Sequence, residues 1–492
     1  MSIMETKNQT ENQTTSNIEQ LITTSYDFAV LLQSMYEKNF VCASIKHKSW
    51  YEFKDHRWIE NDSAATLYSK ISTELIEEYK KIYESVIEQE TDQEQKISIM
   101  KLYASTIKKL KSTSFKKSII EECQFLFYDK EFLNNLDENR NLICFNNGIY
   151  DLEKMIFRAG LPEDYISLCT HTDYKEYDSN DENIKSLNKY FEQVHPNENI
   201  RNYVLNLLSS YLSGHIADEK FIIWTGTGAN SKSKLVELFS LCLGDYSGTL
   251  PISLLTQKRS KSGQATPEIA MSKGRRFMVF QEPESDSVIK VGLMKELTGG
   301  DTISARQLFK EPIEFKPQFK LLLTCNILPH IPANDGGTWR RLRVVEFKSK
   351  FCHNPKKENE FLIDYNLSNN FEIWKQSLMS LLIQKYKHYK RHGLEEPREV
   401  TKYTESYKAS SDVYYEFIKE SLKEDKNNKI SIDQLYNIYK IYIKNNTSYK
   451  PANKKEFKKY FDDNYQEQVR GKFIHGFGFD EEEENQMSKD LD

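Results

Sequence analysis

Short apolar runs alternate with longer stretches of mixed polarity between residues 221 and 350. The runs at 221–224, 277–280 and 321–323 have the length of strands and carry no polar residue on either face. This pattern is typical of strands buried within a parallel sheet. Because the intervening stretches are long enough for helices, the alternation predicts a three-layer α/β domain with a mostly parallel sheet.

The chain before this region has a different pattern. Residues 18–120 are rich in helix formers with charged-apolar periodicity and are predicted to be mainly helical. Two β-strands, Ser49–Phe53 and His56–Glu60, are expected as a hairpin around a polar turn. A second hairpin is expected at Leu142–Leu152 around an Asn-Gly turn, in a structural rather than a catalytic role.

The chain after residue 351 is predicted to be helical again, and its last ordered part combines helices with a β-hairpin. The predicted elements are helices Phe371–His388, Val413–Leu422, Ser431–Asn445 and Lys454–Phe461, then strands Gln468–Ile474 and His475–Phe479. Helices followed by a hairpin resemble a winged helix-turn-helix. Lys444–Phe473 holds eight Lys and Arg against four acids. This charge fits DNA contact and, equally, a solvated protein-interaction module.

The most informative chemistry follows the apolar run at 221–224. A strand, a Gly-rich loop, Lys-Ser and a helix form the layout of a phosphate-binding loop, whose backbone N–H groups and helix N-terminus bind anions. Lys232 would reach the β- and γ-phosphates of ATP, and the Ser233 hydroxyl would hold Mg²⁺. The alternative is a Gly/Ser-rich turn before an ordinary helix. The candidate loop residues are Gly226, Thr227, Gly228, Ala229, Asn230, Ser231, Lys232 and Ser233.

One position of this loop departs from the usual spacing. Ser231 stands where glycine normally precedes the lysine. A small residue can replace glycine there if its backbone torsion is not strictly positive. The departure therefore weakens the match to a phosphate-binding loop without excluding it.

Two later strands end in polar side chains that could complete such a site. Glu282 ends the apolar run at 277–280, fifty residues after Lys232, and Glu284 follows it closely. Open α/β sheets bind ligands beyond the carboxyl ends of their strands, so Glu282 is expected to complete Mg²⁺ and polarise the attacking water. The role of Glu284 stays open. Asn326 ends the next strand and could orient that water or sense the γ-phosphate.

Arginines and a projecting hairpin supply further candidates. Arg340 and Arg341 follow a glycine-rich loop, and arginine suits the stabilisation of charge on a transferring phosphoryl group, often from a neighbouring subunit. The alternative is plain surface charge. Phe309 and Lys310 are expected at a hairpin tip, where an aromatic beside a lysine suits single-stranded nucleic acid. An ordinary surface hairpin is the alternative.

Composition bounds the class of protein. The 492 residues are 38% hydrophobic and 29% charged, with no apolar run of ~18 residues and no apolar signal segment, so neither a membrane span nor secretion is expected. Seven scattered cysteines predict reduced thiols without disulfides or structural zinc, and hence the cytosol, a nucleus or a viral factory. The net charge is −5, and the last thirteen residues alone carry −6. The near-neutral remainder can still bind nucleic acid if its basic residues cluster.

Together, five segments resemble the motifs of superfamily 3 helicases, in order and at suitable spacing. They are GTGANSKS, FQEPE, KELTGGDTISARQLFK, FKLLLTCNILPHIP and GGTWRRLRVVEF. The chain is most similar to the helicase part of primase-helicases from poxviruses and other nucleocytoplasmic large DNA viruses, and to the C-terminal part of phage and plasmid primases. NLICFNNGIYDL resembles the helical domain that precedes this helicase. The resemblance covers about residues 120–420.

The resemblance implies an AAA+-type P-loop ATPase that uses ATP and Mg²⁺. It implies a ring, usually a homo-hexamer, that moves 3′ to 5′ on single-stranded DNA and unwinds duplex at a fork. The residues that take family roles are Lys232 and Ser233 at ATP and Mg²⁺, Glu282 as the catalytic acid that also faces the metal, Asn326 as sensor, Arg340 or Arg341 as a finger on the neighbour's ATP, Lys295 facing the neighbouring site, Phe309 and Lys310 in the channel hairpin, and Lys258–Lys261 in a second channel loop.

The same resemblance leaves alternative functions open and predicts how the chain divides into domains. Relatives carry a primase domain, but residues 1–120 are too few for one and lack a convincing Asp-x-Asp pair, so a separate primase would be a partner. An ATP-binding ring scaffold or a double-stranded DNA translocase without unwinding activity remains an alternative. The expected parts are a disordered segment at 1–17, a mainly helical domain at 18–195, the helicase core at 196–350, a helical lid at 351–425, a winged-helix-like domain at 426–479 and an acidic tail at 480–492.

Overall fold

The computed structural model describes residues 21–257, 266–283, 288–307, 312–331, 336–446 and 451–479. The chain divides into two compact units, with the boundary between Tyr174 and Lys175. The finer boundaries predicted at 196, 351 and 426 stay predictions. Several predicted features lie outside the described residues, namely the segment 1–17, Lys258–Lys261, Glu284, Phe309, Lys310 and the acidic tail.

The first unit is helical with two small antiparallel sheets. Its elements are α1 (Ser25–Tyr36), β1 (Phe40–Ser44), β2 (Ser49–Lys54), β3 (Arg57–Glu60), α2 (Ala65–Ile71), α3 (Glu74–Gln89), α4 (Gln93–Leu110), α5 (Thr113–Leu126), α6 (Phe132–Asn135), β4 (Leu142–Phe145), β5 (Gly148–Asp151) and β6 (Ile156–Arg158). Both predicted hairpins are confirmed, as β2–β3 and β4–β5. Sheets β1-β2-β3 and β4-β5-β6 each follow chain order.

The core of this unit explains why its amphipathic segments fold together. Phe28, Trp50 and Tyr79 are almost fully buried and belong to one apolar cluster that helices α1 to α5 share. Helix α1 begins with a capping box, in which the Thr24 and Asp27 side chains satisfy each other's backbone N–H groups. Trp50 is therefore a core residue, Trp58 is buried in a second cluster, and Tyr51 and Phe53 pack against that second cluster, so the structural role that the pattern indicated holds for all four.

The second unit is built on a parallel sheet covered by helices. Its elements up to residue 410 are α7 (Glu182–Val194), α8 (Glu198–Ser210), β7 (Phe221–Thr225), α9 (Lys232–Leu243), β8 (Ser247–Thr249), α10 (Ser253–Thr256), α11 (Pro267–Ala270), β9 (Phe277–Gln281), α12 (Val291–Thr298), β10 (Ile303–Ala305), β11 (Ile313–Phe315), β12 (Lys320–Cys325), α13 (Gly336–Trp339), β13 (Leu342–Glu346), β14 (Lys350–Cys352), β15 (Glu360–Leu362), α14 (Leu367–His392) and α15 (Arg398–Ser410). The prediction of a parallel sheet in a multidomain α/β chain is confirmed.

Five strands form this sheet in the order β13-β7-β12-β9-β8, and every pairing is parallel. All residues of β7 and β12 are buried, which is why both strands are apolar on both faces. Helices α7, α8 and α9 pack with the long helix α14. Among the described helices, none combines the length and the apolar composition that a membrane crossing requires.

The last part of the second unit has its own apolar core. Its elements are α16 (Val413–Ser421), β16 (Leu422–Ser431), α17 (Ile432–Asn446), α18 (Lys454–Asn464), β17 (Val469–Arg470) and β18 (Phe473–Phe479). Strands β16, β18 and β17 form an antiparallel sheet in that order. The core cluster lies wholly within residues 413–479.

The predicted strand limits in this part are wrong in one respect. The sequence placed strand ends between Ile474 and His475, whereas the chain turns at Gly471 and Lys472, and β18 runs unbroken through Phe479. Gly471 takes a left-handed φ of +65°, which glycine adopts at little cost. Strand β16 was missed because its charged sequence lacks apolar alternation; it pairs with β18 in two stretches separated by a bulge.

Candidate functional site

Three strands of the parallel sheet end at the same level. Thr225 of β7 pairs with Cys325 of β12, and Thr324 pairs with Gln281 of β9. The loop after β7, Glu282 after β9 and Asn326 after β12 therefore meet at one edge of the sheet. This is the edge at which open α/β sheets bind their ligands.

The loop after β7 is wound tightly and tied to the neighbouring chain. A Cβ atom at Gly226 would lie 2.3 Å from Asn230 Nδ2 and 2.6 Å from the Phe347 carbonyl oxygen, so only glycine fits there. Gly228 and Ala229 have left-handed φ values of +90° and +50°. The Phe351 N–H donates to the Ala229 carbonyl at 2.7 Å. Turns with left-handed torsions of this kind are typical of backbone segments whose N–H groups bind anions.

Lys232 is the first residue of α9, and its side chain is buried at this edge. Its ammonium donates to the Gly226 carbonyl at 2.9 Å and to the Oδ1 atoms of Asn230 and Asn326, each at 3.1 Å. Burial lowers the pKa of Lys232, while the neighbouring Cys325 and Glu282 oppose the shift. The ammonium thus uses its three protons on protein oxygens, and these are the bonds that a phosphate oxygen would have to replace.

Asn326 joins Lys232 to Glu282. Its carbonyl oxygen accepts from the Lys232 ammonium, and its Nδ2 lies 3.5 Å from Glu282 Oε2. The Glu282 side chain is exposed, and its backbone has a left-handed φ of +46°, which costs a residue with a side chain about 1 kcal/mol or more. Strained backbone that persists at a ligand-binding edge favours a functional role for the residue. The arrangement couples a cation, an amide and a carboxylate in one hydrogen-bonded row.

Ser231 occupies a position that its residue type does not favour. Its φ is +69°, within the left-handed region, so the sequence-based condition that this torsion not be positive is not met. The Ser231 Oγ lies 2.8 Å from the hydroxyl of Tyr190, a buried residue of α7 whose pKa is raised by burial. This hydrogen bond helps to hold the serine where glycine is usual. Nothing in the sequence pointed to Tyr190.

Two hydroxyl side chains are exposed at the same edge. Ser233 is the second residue of α9, and Thr227 lies in the loop. Ser233 is therefore open to solvent beside the first turn of the helix, the place where a metal-holding hydroxyl would be needed. Lys295 lies in the last turn of α12 and is half-buried.

The two candidate arginines lie at the opposite end of the sheet. Strand β13 runs parallel to β7, with Leu342 beside Phe221, and the Phe221 N–H donates to the Arg341 carbonyl at 2.8 Å. Arg340 and Arg341 therefore precede the strands, whereas Lys232 follows them. The separation is about 16 Å, the length of a five-residue strand, so neither side chain reaches the Lys232 site of its own chain.

The two arginines also differ from each other. The Arg341 side chain is 12% exposed, pairs with Glu219 at 3.0 Å and donates to the Gly337 carbonyl at 3.0 Å. The Arg340 side chain is 67% exposed and lies 3.6 Å from the same Glu219 carboxylate. Arg341 is held as part of the fold, while Arg340 is presented to solvent.

Comparison with known proteins shows which proteins this chain is similar to. Residues 29–195 match the family described as D5 N terminal like. The putative helicase L207/L206 of Acanthamoeba polyphaga mimivirus is 44% identical, over 88% of this chain and 47% of that protein. The putative helicase 121R of Invertebrate iridescent virus 3 is 32% identical, over 71% of this chain and 40% of that protein. The putative primase C962R of African swine fever virus (isolate Tick/Malawi/Lil 20-1/1983) is 27% identical, over 70% of this chain and 37% of that protein.

These relatives confirm the resemblance to helicase and primase proteins of large DNA viruses. Residues 29–195 are similar to the D5 N-terminal-like family, and the chain is similar to putative helicases of these viruses. It spans less than half of the length of each of these three relatives. Among solved structures, the A form apo structure of the NrS-1 C terminal region matches with a TM-score of 0.34 and 14% identity, over 47% of this chain and 52% of that chain. The family match begins at residue 29, well before the region of about 120 that the motifs covered.

Proposed function

We propose that this chain is an ATP-dependent replicative DNA helicase of the superfamily 3 type, with an AAA+-type core. In this proposal it forms a ring, moves on single-stranded DNA and unwinds duplex. The observation that carries the proposal is the row Lys232, Asn326 and Glu282, joined by hydrogen bonds at the carboxyl edge of a parallel sheet and continuous with a tightly wound loop. The relatives' names, putative helicase and putative primase, support the same assignment.

The residues at this edge fit ATP and Mg²⁺ by their chemistry. The loop and the N-terminus of α9 offer partial positive charge to phosphates, and Lys232 adds a full charge within reach. The exposed Ser233 hydroxyl and Glu282 carboxylate are oxygen donors of the kind that Mg²⁺ prefers. When bound, Mg²⁺ would neutralise negative charge that develops on the phosphates.

The protein side chains divide the remaining work. Glu282 is exposed and can accept a proton from an attacking water. Asn326 holds Glu282 on one side and Lys232 on the other. If phosphate oxygens take over the Lys232 protons, the Asn326 carbonyl loses its partner, so occupancy at Lys232 would change the position of Glu282. This exchange would make Asn326 a sensor of the γ-phosphate.

The wider setting of the proposal includes partners. We propose single-stranded and forked DNA as substrates, a homo-hexamer as the working form, and a separate primase as a partner. Phe309 and Lys310 are the proposed channel contacts, with Lys258–Lys261 as a second loop, and Lys295 is proposed to face the neighbour's site. Replication in a cytoplasmic viral factory or in a host nucleus would suit such a protein.

Loss of Lys232 is the direct test of this proposal. Lys232→Ala should lower ATP hydrolysis, with and without single-stranded DNA, by about a hundredfold or more, because an essential positive charge is lost from the phosphate site. Phosphate release by the purified chain measures this. Lys234→Ala is the matched control, since Lys234 is exposed two residues later on α9 and pairs with Glu237.

Two outcomes would redirect the proposal. Unchanged ATP hydrolysis in Lys232→Ala would show that Lys232 does not belong to the ATP site. Absence of any hydrolysis in the unmodified chain would favour an ATP-binding ring scaffold. If ATP is hydrolysed, strand displacement on a tailed fork separates a helicase from a double-stranded DNA translocase, which would move without displacing a strand.

A further inference from the structure

The segments that lead into strands β7 and β13 run side by side at the amino end of the parallel sheet. Glu219 and Lys220 end the first segment, and Arg340 and Arg341 end the second. The hydrogen bond from the Phe221 N–H to the Arg341 carbonyl joins the two segments. An acid and a lysine are thereby brought next to Arg340, the exposed one of the two candidate finger arginines.

The backbone of Arg340 is held from two sides. Its carbonyl oxygen accepts a hydrogen bond from the Lys220 ammonium at 3.1 Å and another from Nη1 of Arg343 at 3.3 Å. Both cations also pair with Glu396 in the loop between α14 and α15, at 3.3 Å for Lys220 and 2.5 Å for Arg343. The three side chains are between 16% and 21% exposed, so salt screens these contacts less than it screens a surface ion pair. The main chain at Arg340 is therefore fixed in place.

The side chain of Arg340 is held much more loosely than its backbone. Its guanidinium lies 3.6 Å from Oε2 of Glu219, whereas the guanidinium of Arg341 donates a hydrogen bond to the same oxygen at 3.0 Å. A charge-assisted hydrogen bond is normally about 2.7–2.9 Å long, so the carboxylate binds Arg341 more closely than Arg340. Arg341 thus fixes the carboxylate of Glu219, and this carboxylate keeps the exposed guanidinium of Arg340 nearby without enclosing it.

The charges of this cluster do not balance. Its members are the cations Lys220, Arg340, Arg341 and Arg343 and the carboxylates Glu219 and Glu396. The excess positive charge is most accessible at Arg340, whose side chain is 67% exposed against 12–21% for the other three cations. A guanidinium binds phosphate oxygens through shorter bonds than the 3.6 Å contact with Glu219. An arriving phosphate can therefore draw the Arg340 guanidinium away from Glu219 while the other contacts of the cluster stay intact.

We propose that Glu219 and Lys220 are positioning residues for Arg340 in the hydrolysis of ATP that is bound to a neighbouring copy of the chain. Lys220 fixes the backbone from which the arginine projects, and Glu219 limits the directions that its long side chain explores. An arginine without this support would have to lose its rotamer freedom at each encounter with the phosphate. The inference rests on the proposed function and deepens it, because it assigns two further residues to the half of the ATP site that the neighbour supplies.

The first test separates turnover from nucleotide binding in the full chain. The double variant Glu219→Gln with Lys220→Met should have a kcat for ATP about tenfold lower, because a misplaced guanidinium stabilises the transition state poorly. The KM for ATP and the affinity for a fluorescent ATP analogue should stay within about twofold, since the nucleotide is bound at the Lys232 edge of the other copy. Lys220→Arg should keep most of the activity, because it keeps a cation between the Arg340 carbonyl and Glu396.

The matched control removes a similar ion pair from the same unit. Glu372 and Lys375 of α14 pair at 2.7 Å, and Lys375 is 24% exposed, close to the 21% of Lys220. Glu372→Gln with Lys375→Met makes the same two chemical changes in α14, and kcat should be unchanged. A general effect of a missing ion pair would lower the activity of both double variants alike.

The second test shows which half of the site the two residues serve. A mixture of the Glu219→Gln, Lys220→Met variant with Lys232→Ala should hydrolyse ATP severalfold faster than the two proteins do separately. The reason is that Lys232→Ala supplies an intact Arg340 with its support to a neighbour whose Lys232 is intact. A mixture with Arg340→Ala should show no gain, since both proteins are then defective in the half that is given to the neighbour. Damage to the chain's own nucleotide site would produce the opposite pattern.

The possible failures are distinguishable. A Glu219→Gln, Lys220→Met variant with the kcat of the unmodified chain would overturn this inference and leave the proposed function standing. The opposite mixing pattern, or an equal loss of kcat in the control variant of Glu372 and Lys375, would do the same. Absence of ATP hydrolysis by the unmodified chain would overturn the proposed function and this inference together.

Discussion

Ser231 shows how one residue of the candidate ATP loop is balanced between strain and contact. A left-handed backbone costs a residue with a side chain about 1–2 kcal/mol relative to glycine. The hydrogen bond between Ser231 and Tyr190 returns about 1 kcal/mol, and it fixes the loop to α7. Glycine would remove the strain but also the contact and would let the loop move more freely. Serine at this position therefore adds backbone strain to the folded state and holds the loop in a defined position.

This balance predicts coupled effects of Ser231 and Tyr190. Ser231→Gly and Tyr190→Phe should each raise the KM for ATP about fivefold, the equivalent of about 1 kcal/mol, with little change in overall stability. The double variant should be no worse than either single one, because both remove the same hydrogen bond. Steady-state ATPase kinetics and denaturant unfolding measure the two quantities.

Tyr203→Phe is the matched control for this pair. Tyr203 is a buried tyrosine of α8 whose hydroxyl has no hydrogen-bond partner among the described residues. Its loss should leave the KM unchanged. Additive effects of Ser231→Gly and Tyr190→Phe would contradict a shared role, and an unchanged KM in both would mean that position 231 needs only to be small.

At the scale of elements, the edge strand β13 depends on a helix to satisfy its backbone. β13 is the last strand on its side of the sheet, so one row of its N–H and C=O groups faces away from β7. Thr404 of α15 accepts a hydrogen bond from the Val344 N–H at 3.0 Å, and its own hydroxyl donates to the Val400 carbonyl at 2.7 Å. A helix side chain thus covers an edge that would otherwise invite pairing with another strand.

Removal of this hydroxyl should destabilise the second unit. Thr404→Val keeps the shape of the side chain and leaves the buried Val344 N–H without a partner, which should lower the free energy of unfolding by about 1–3 kcal/mol. Urea unfolding followed by circular dichroism measures it.

Thr401→Val makes the same chemical change one turn earlier on α15, where the hydroxyl donates to carbonyls at the start of its own helix. This control should change stability by less than about 0.5 kcal/mol. Equal losses in the two variants would show that the hydroxyl of Thr404 has no special role at β13.

At the scale of the whole molecule, the parallel sheet separates the two halves of the proposed ATP site. Lys232, Asn326 and Glu282 lie beyond the carboxyl ends of the strands, and Arg340 lies before the amino end of β13. An arginine finger at Arg340 can therefore act only on the site of another copy of the chain. Arg341 suits this role less, because its guanidinium is buried against Glu219.

Mixing experiments test this arrangement. Arg340→Ala and Lys232→Ala should each be inactive as ATPases, and a mixture of the two should regain activity. In mixed assemblies, a subunit with intact Lys232 can receive the intact Arg340 of a Lys232→Ala neighbour. ATPase activity as a function of mixing ratio measures the effect.

The control mixture combines Lys232→Ala with Glu282→Gln. Both residues lie at the same edge of one chain, so no junction in this mixture holds a complete site, and activity should stay absent. Recovery in the control mixture, or none with Arg340→Ala, would mean that Arg340 does not act across a subunit boundary. Nucleotide binding by Arg340→Ala should persist in either case.

The sequence by itself determined which strand ends form the candidate site. Apolar runs marked the strands β7, β9 and β12, and the polar residues after each run marked their ends. Because the carboxyl ends of parallel strands share one edge, the proximity of the loop, Glu282 and Asn326 followed from local pattern alone. The separation of Arg340 from Lys232 was not predicted and came from the structure, in which Arg340 precedes β13 and Lys232 follows β7.

Only the tertiary structure decided the contacts that join distant parts of the chain. Tyr190 lies 41 residues before Ser231, Asn326 lies 94 residues after Lys232, and Glu219 lies 122 residues before Arg341. Strand β16 likewise depends on pairing with β18 rather than on its own composition. Local pattern specifies which residues end a strand or begin a helix, but side chains from separate elements meet only through packing, and packing is a property of the whole fold.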